Sequence, residues 1–251
     1  TLFFFSTLIV FHQPFWLDLS LTNWTLLALS AVLGITIGDT LFIAALNRIG
    51  PSSQAIIDGL YSPLLAVAGF FIFKEAVSFL EIMGGLLVII GVVFGAKGFP
   101  KSSTIATKQK WEGYFLATLA QFVLVITVVL IRDLLKEHSV LTISAYRFLI
   151  GTISYWLYFS MTRHKHELFS GFKINKTFYL NLGGTFVGPF LASIFWFLGF
   201  KYAPLARAGI YNQLSTIFII MLAAFILKET LSRLQIVAVI LSIMGALLVS
   251  L

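Results

Sequence analysis

Apolar residues run along this chain in long stretches, and polar residues gather in the short gaps between them. A hydrocarbon core about 30 Å thick takes roughly 20 residues of helix to cross. On that ruler the pattern predicts a partial span over 1–11 and full spans over 22–46, 51–73, 78–96, 112–131, 139–161, 177–200, 205–227 and 233–251. Turn chemistry marks several joints. His12-Gln13-Pro14 follows the first span, and Gly50-Pro51 opens the third, where proline suits a helix start. The longest polar joint is KGFPKSSTIATKQK, Lys97 to Lys110.

The spans are not independent of one another. Shifted by 154 residues, Ile56–Gly91 falls without a gap on Ile210–Gly245. Ile56, Leu60, Phe71, Ile72, Lys74, Glu75, Ser78, Leu80, Ile82, Leu87, Ile89 and Gly91 meet identical residues. Apolar composition alone would scatter Leu and Ile matches; it would not place Lys-Glu-x-x-Ser-x-Leu-x-Ile at one offset. The chain therefore divides into a first repeat over 1–96, a linker over 97–111 and a second repeat over 112–251. The second repeat holds five spans and the first shows four. Its own first span is missing, since Thr1 opens inside an apolar segment, so ten helices are expected of a complete chain. An odd number of spans per repeat makes the two insert with opposite orientation, as in many secondary transporters. The predicted fold class is an all-α polytopic membrane protein of two inverted five-helix repeats.

Composition narrows the picture further. The chain is 59% hydrophobic and 11% charged, against about a quarter charged in a soluble domain. The net charge of +7 sits in the joints, which points to membrane orientation rather than to nucleic acid. Counting Arg48, Lys97–Lys110, Arg163–Lys176 and Lys228–Arg233 on one side, against Lys74, Arg132, Lys136 and Lys201 on the other, places the 97–110 linker in the cytoplasm. There is no Cys, which removes thiol catalysis and thiolate metal sites. No GxxxxGK[ST] phosphate loop and no helical His-x-x-x-His pair occur, so neither cofactor nor metal is expected. No histidine lies within a span to serve as a base.

Certain residues carry a resemblance. Ala45-Leu46 closes one span and Pro63 lies inside the next; Glu75 and Glu229 follow Lys in short turns; Gly91 and Gly245 lie on the last helix of each repeat; Tyr146-Arg147-Phe148 holds an Arg-Phe pair. Together these resemble the EamA-type repeat of the drug/metabolite transporter superfamily. Departures fall in the second repeat, where Ile217 answers Pro63 and Gly199-Phe200 answers Ala45-Leu46. The resemblance implies a multi-pass protein of the bacterial inner membrane, with a central cavity and export or exchange of small metabolites.

A charge inside a span costs at least about 2.5–3.5 kcal/mol on insertion scales, so each one asks for a reason. Asp39 and Asp58 lie roughly 10 Å deep from one face at 1.5 Å per residue, and Arg147 enters from the other. Gln54, Asp58 and Tyr61 follow helical spacing, and the 154 shift carries Asp58 to Asn212 and Asp39 to Ser193. Tyr211, Asn212 and Gln213 form a second polar cluster, with Gln121 and Trp196 as weaker candidates. The expected substrate-binding set is Asp39, Gln54, Asp58, Tyr61, Arg147, Tyr211, Asn212 and Gln213. Two readings stand for the charges: a structural ion pair between Arg147 and an aspartate, or a wet site for a charged substrate or a coupling proton. Glu75 and Glu229 are expected to cap helices or pair in loops. The function expected is a secondary transporter, not an enzyme, moving a small polar, amino-acid-like solute by alternating access, as a monomer or homodimer among membrane lipids. The alternative is an intramembrane enzyme or a helical receptor, which has no need of the duplication.

Overall fold

The computed structural model describes residues 1–97, 107–161, 176–226 and 232–250. Two compact units are present, Thr1–Ile37 with Ile126–Tyr202 and Gly38–Val125 with Ala203–Leu251. Among the described residues all regular structure is helical. In chain order the helices are α1 (Leu2–Val10), α2 (Leu21–Gly50), α3 (51–58), α4 (Tyr61–Phe73), α5 (Phe79–Lys97), α6 (Thr107–Glu137), α7 (Val140–Ser160), α8 (Thr177–Tyr202), α9 (Leu205–Ile226) and α10 (Arg233–Ser250). Every predicted span is occupied by helix. Helices α2, α6, α7 and α8 are each long and apolar enough to cross a membrane. Apolar side chains such as Phe71, Phe195 and Phe225 remain exposed on their helices, as a lipid-facing surface requires. Most of the 97–110 linker, the 163–176 joint and Glu229 lie outside the described residues.

Two predicted spans are corrected. The span over 51–73 is two helices, broken at Gly59–Leu60. Pro63 has no N–H to give the carbonyl of Gly59, and its ring crowds that carbonyl, so the helix restarts at Tyr61. Upstream, Gly50 takes φ 75°, ψ 167° just before Pro51, a conformation open to glycine and strained for other residues. The span over 112–131 is the longer α6, which carries Arg132 inside the helix and only 2% exposed. Arg132 is a buried helix cation, not a residue of a charged joint.

In the first unit, Phe4, Leu8, Ala145 and Phe190 form the core, with the Phe4 ring 4.9 Å from those of both Phe148 and Phe190. Both long helices of this unit that bear an internal glycine-rich stretch widen into a π-helical turn. The widened stretches are Val32–Gly38 in α2 and Phe186–Ala192 in α8. Their ends differ by the same 154 residues as the sequence repeat, so the duplication extends to a rare backbone feature. Such turns cluster at functional sites.

The second unit shows how the repeats are related. Helices α5 and α10 are repeat mates, and they pack against each other through glycines. A Cβ on Gly84 would stand 2.6 Å from the Gly245 carbonyl oxygen, and one on Gly245 would stand 2.5 Å from that of Gly84. Seven residues along, Gly91 meets the Ala238 carbonyl and Ser242. Rising numbers on α5 thus meet falling numbers on α10, so the mates run antiparallel. Under the 154 shift Gly84 corresponds to Ala238 and Gly91 to Gly245, so the two contacts are copies of one another about a local twofold axis. The repeats are inverted.

The Lys-Glu-x-x-Ser motif is helix-end chemistry. Lys74 takes the left-handed conformation (φ 55°) at the end of α4, and Glu75 N–H then donates to the Gly69 carbonyl at 3.0 Å. The Glu75 carboxylate accepts the Leu205 N–H at 2.8 Å, capping the start of α9. Ser78 and Glu81 form a reciprocal capping box on α5 (2.9 and 3.1 Å), and Ser232 with Gln235 forms its counterpart on α10. Glu81 also pairs with Arg207 at 2.9 Å.

Candidate functional site

Asp58 ends α3, one residue before the break that Gly59 and Pro63 impose. Carbonyls at a helix C-terminus lose their helical partners, and here Gln213 Nε2 from α9 donates to the Asp58 carbonyl at 2.9 Å. The carboxylate is held by two more amides. Gln54 Nε2, one turn back, donates to Oδ1 at 2.8 Å, and Gln121 Nε2 from α6 donates to the same oxygen at 2.5 Å. All four residues belong to the second unit. The three glutamines are 2–4% exposed, while Asp58 itself is half-buried.

Two amides, Gln54 and Gln121, orient this carboxylate without neutralising it, and Gln213 holds the main-chain carbonyl of the same residue. Within its unit, and among the described residues, Asp58 has no ion-pair partner, and its Oδ2 accepts no hydrogen bond. Gln54 Oε1 is likewise buried with no hydrogen-bond partner among the described residues. Leaving such an acceptor unmet costs about 1–3 kcal/mol.

The other predicted residues are placed as follows. Tyr61 lies beyond the helix interruption that follows Asp58, at the start of α4, and is 1% exposed. Asn212 is half-buried beside Gln213 and makes no hydrogen bond among the described residues. Tyr211 packs with Val88, Val92, Ile210 and Val249 and lines an apolar recess of about 380 Å³ with Leu214 and Met221. Asp39 follows the π-helical turn of α2 and is exposed; no hydrogen bond joins it to Asp58 or the three glutamines. Its repeat mate Ser193 turns its hydroxyl back to the carbonyls of Pro189 and Phe190.

Arg147 belongs to the first unit and is 4% exposed. Its Nε donates to Ser30 Oγ at 3.0 Å and its Nη2 to the Ser30 carbonyl at 3.4 Å, while Ser30 Oγ donates to the Thr127 carbonyl at 3.0 Å. The guanidinium carbon stands 5.1 Å over the Phe197 ring, a favourable cation–π geometry. One side chain thereby ties α2, α6, α7 and α8 together. Gln121, weighed only weakly from sequence, bonds the Asp58 carboxylate: a lone glutamine on an apolar helix gives no sign of its partner.

The chain has a counterpart among known families. The EamA-like transporter family model matches residues 1–95 and 111–251. The chain belongs to that family. This EamA-like protein is also 25% identical, over 96% of its length and 70% of the relative's, to a Synechocystis protein described as an uncharacterized transporter. A solved crystal structure of 16% identity shares the fold, with TM-score 0.71 over 97% of this chain and 78% of that one. The protein is a membrane transporter.

Proposed function

We propose that this EamA-like protein moves a small polar solute, an amino-acid-like one in preference to others, by alternating access, and that Asp58 with Gln54, Gln121 and Gln213 forms the polar core of its site. The observation that carries the reading is a carboxylate at the break of a discontinuous helix, oriented by two neutral amides, with a third on its main-chain carbonyl, and left without a counter-ion among the described residues. Discontinuous helices are where many secondary transporters place substrate and coupling-ion sites, and intramembrane carboxylates mark such pathways. Asn212, the repeat mate of Asp58, joins the site from α9. Arg147 serves as a packing cation. Inverted repeats support alternating access, since each half supplies an equivalent gate. A bacterial inner membrane and export or exchange fit the family.

Counterflow in proteoliposomes with a labelled amino-acid mixture tests this. Asp58→Asn is expected to lower the initial rate at least roughly tenfold, the scale of one lost hydrogen bond to a charged group. Its melting temperature in detergent should stay near that of the parent chain, since Asn keeps acceptors for Gln54 and Gln121. Parental transport by Asp58→Asn would overturn the site assignment.

A further inference from the structure

We infer that the pair Gln54–Asp58 is an ammonium subsite, built for a primary amine whose N–H groups it must receive. This rests on the site assignment above and goes beyond it to the chemical class of the substrate's recognised group. Gln54 and Asp58 lie one helical turn apart, and the amide nitrogen of the first donates to Oδ1 of the second at 2.8 Å. Flipping that amide would set its oxygen against a carboxylate oxygen, acceptor against acceptor, so the orientation is fixed by chemistry. Gln54 Oε1 is consequently the atom left over. It is bonded to the same carbon as Nε2, so it lies within a few ångströms of the carboxylate, and it is buried without a donor among the described residues.

Two acceptors therefore await donors in one place: Gln54 Oε1 and Asp58 Oδ2. A water would satisfy both as a neutral donor but would leave the carboxylate charge uncompensated. A primary ammonium supplies a positive charge and three donors on one atom. It meets the carboxylate with one N–H and the amide oxygen with another. A quaternary ammonium carries the same charge with no N–H, and so leaves Gln54 Oε1 unmet. An alcohol of the same size donates once and carries no charge. The geometry thus orders ligands as primary amine first, trimethylammonium and alcohol well behind.

The test is a set of matched triplets, amine, trimethylammonium and alcohol, built on an ethyl, a propanoate and a phenylpropanoate frame. Each is scored by the rise in melting temperature of the purified protein across a concentration series. At least one primary amine should bind roughly 10- to 100-fold more tightly than its trimethylammonium partner, the range set by a hydrogen bond to a charged group. Gln54→Met, close in size but without the acceptor, should erase that preference. The parent chain alone decides the main question, so the result stands even if Gln54→Met folds poorly. Equal binding of the trimethylammonium compounds, or no stabilisation by any amine, would overturn the inference. Asp58-dependent transport together with that second result would leave the site in place and remove only the amine. Transport indifferent to Asp58 would remove the site itself.

Discussion

Gly34 carries a constraint that its repeat mate Gly188 lacks. A Cβ at Gly34 would run into Arg147 Nη2 and touch Thr127 Cγ2 at 3.4 Å, whereas one at Gly188 would meet nothing within 4 Å. Glycine at 34 gives the buried guanidinium room to reach Ser30. Gly34→Ala should therefore cost about 1–3 kcal/mol by displacing Arg147 from its bonds, and Gly188→Ala should stay within roughly 0.5 kcal/mol of the parent. Melting the two variants in the same detergent checks this, and equal losses would show that the guanidinium contact does not set the cost. Sequence named Arg147 as a charge in need of a reason. It could not name Ser30 or Phe197 as that reason, because both lie on other helices and neither carries charge.

At the scale of elements, the packing of α5 on α10 makes a symmetric prediction. Gly84 and Gly245 each bring a backbone carbonyl to within 2.6 Å of the other's missing Cβ. Backbone cannot move aside as a side chain can, so Gly84→Ala and Gly245→Ala should each cost on the order of 1–3 kcal/mol, the usual range for overpacking. Gly183→Ala, with nothing within 4 Å of the new methyl, serves as the control. Thermal unfolding of the three variants reads the outcome; a mild Gly84→Ala would mean the helices separate easily. The capping boxes Ser78–Glu81 and Ser232–Gln235 belong to this scale too. In the first repeat Lys74, Glu75 and Ser78 of the motif that revealed the duplication all lie in helix-end structure.

For the whole molecule, the inversion of the repeats has a direct consequence. Phe79 and Arg233 are repeat mates at the starts of α5 and α10, both exposed, and antiparallel partners start at opposite ends. Single cysteines at Phe79→Cys and Arg233→Cys should therefore react with an impermeant thiol reagent from opposite sides of the membrane. The chain has no Cys of its own, so the background is blank. Labelling of both from one side would overturn the inversion. The two compact units are not the two repeats, since each draws helices from both. That interleaving follows from pairing equivalent helices across the local axis, as α5 and α10 do.

Sequence alone determined the number and place of the helical spans, because a helix in hydrocarbon must satisfy its own backbone and cover itself with apolar side chains. It also determined the inversion, because an odd number of crossings leaves no other arrangement, and it pointed to Asp58, Gln54 and Gln213 as polar residues at membrane depth. Helix breaks and bulges were decided otherwise. The interruption at Gly59–Leu60 and the paired π-helical turns depend on single backbone bonds that hydropathy does not register. Only the tertiary structure brought Gln121 from α6 onto the Asp58 carboxylate and, among the described residues, left Gln54 Oε1 without a donor. Hydrogen bonds between helices depend on rotation and depth to within an ångström or so, and a periodicity of 3.6 residues fixes neither.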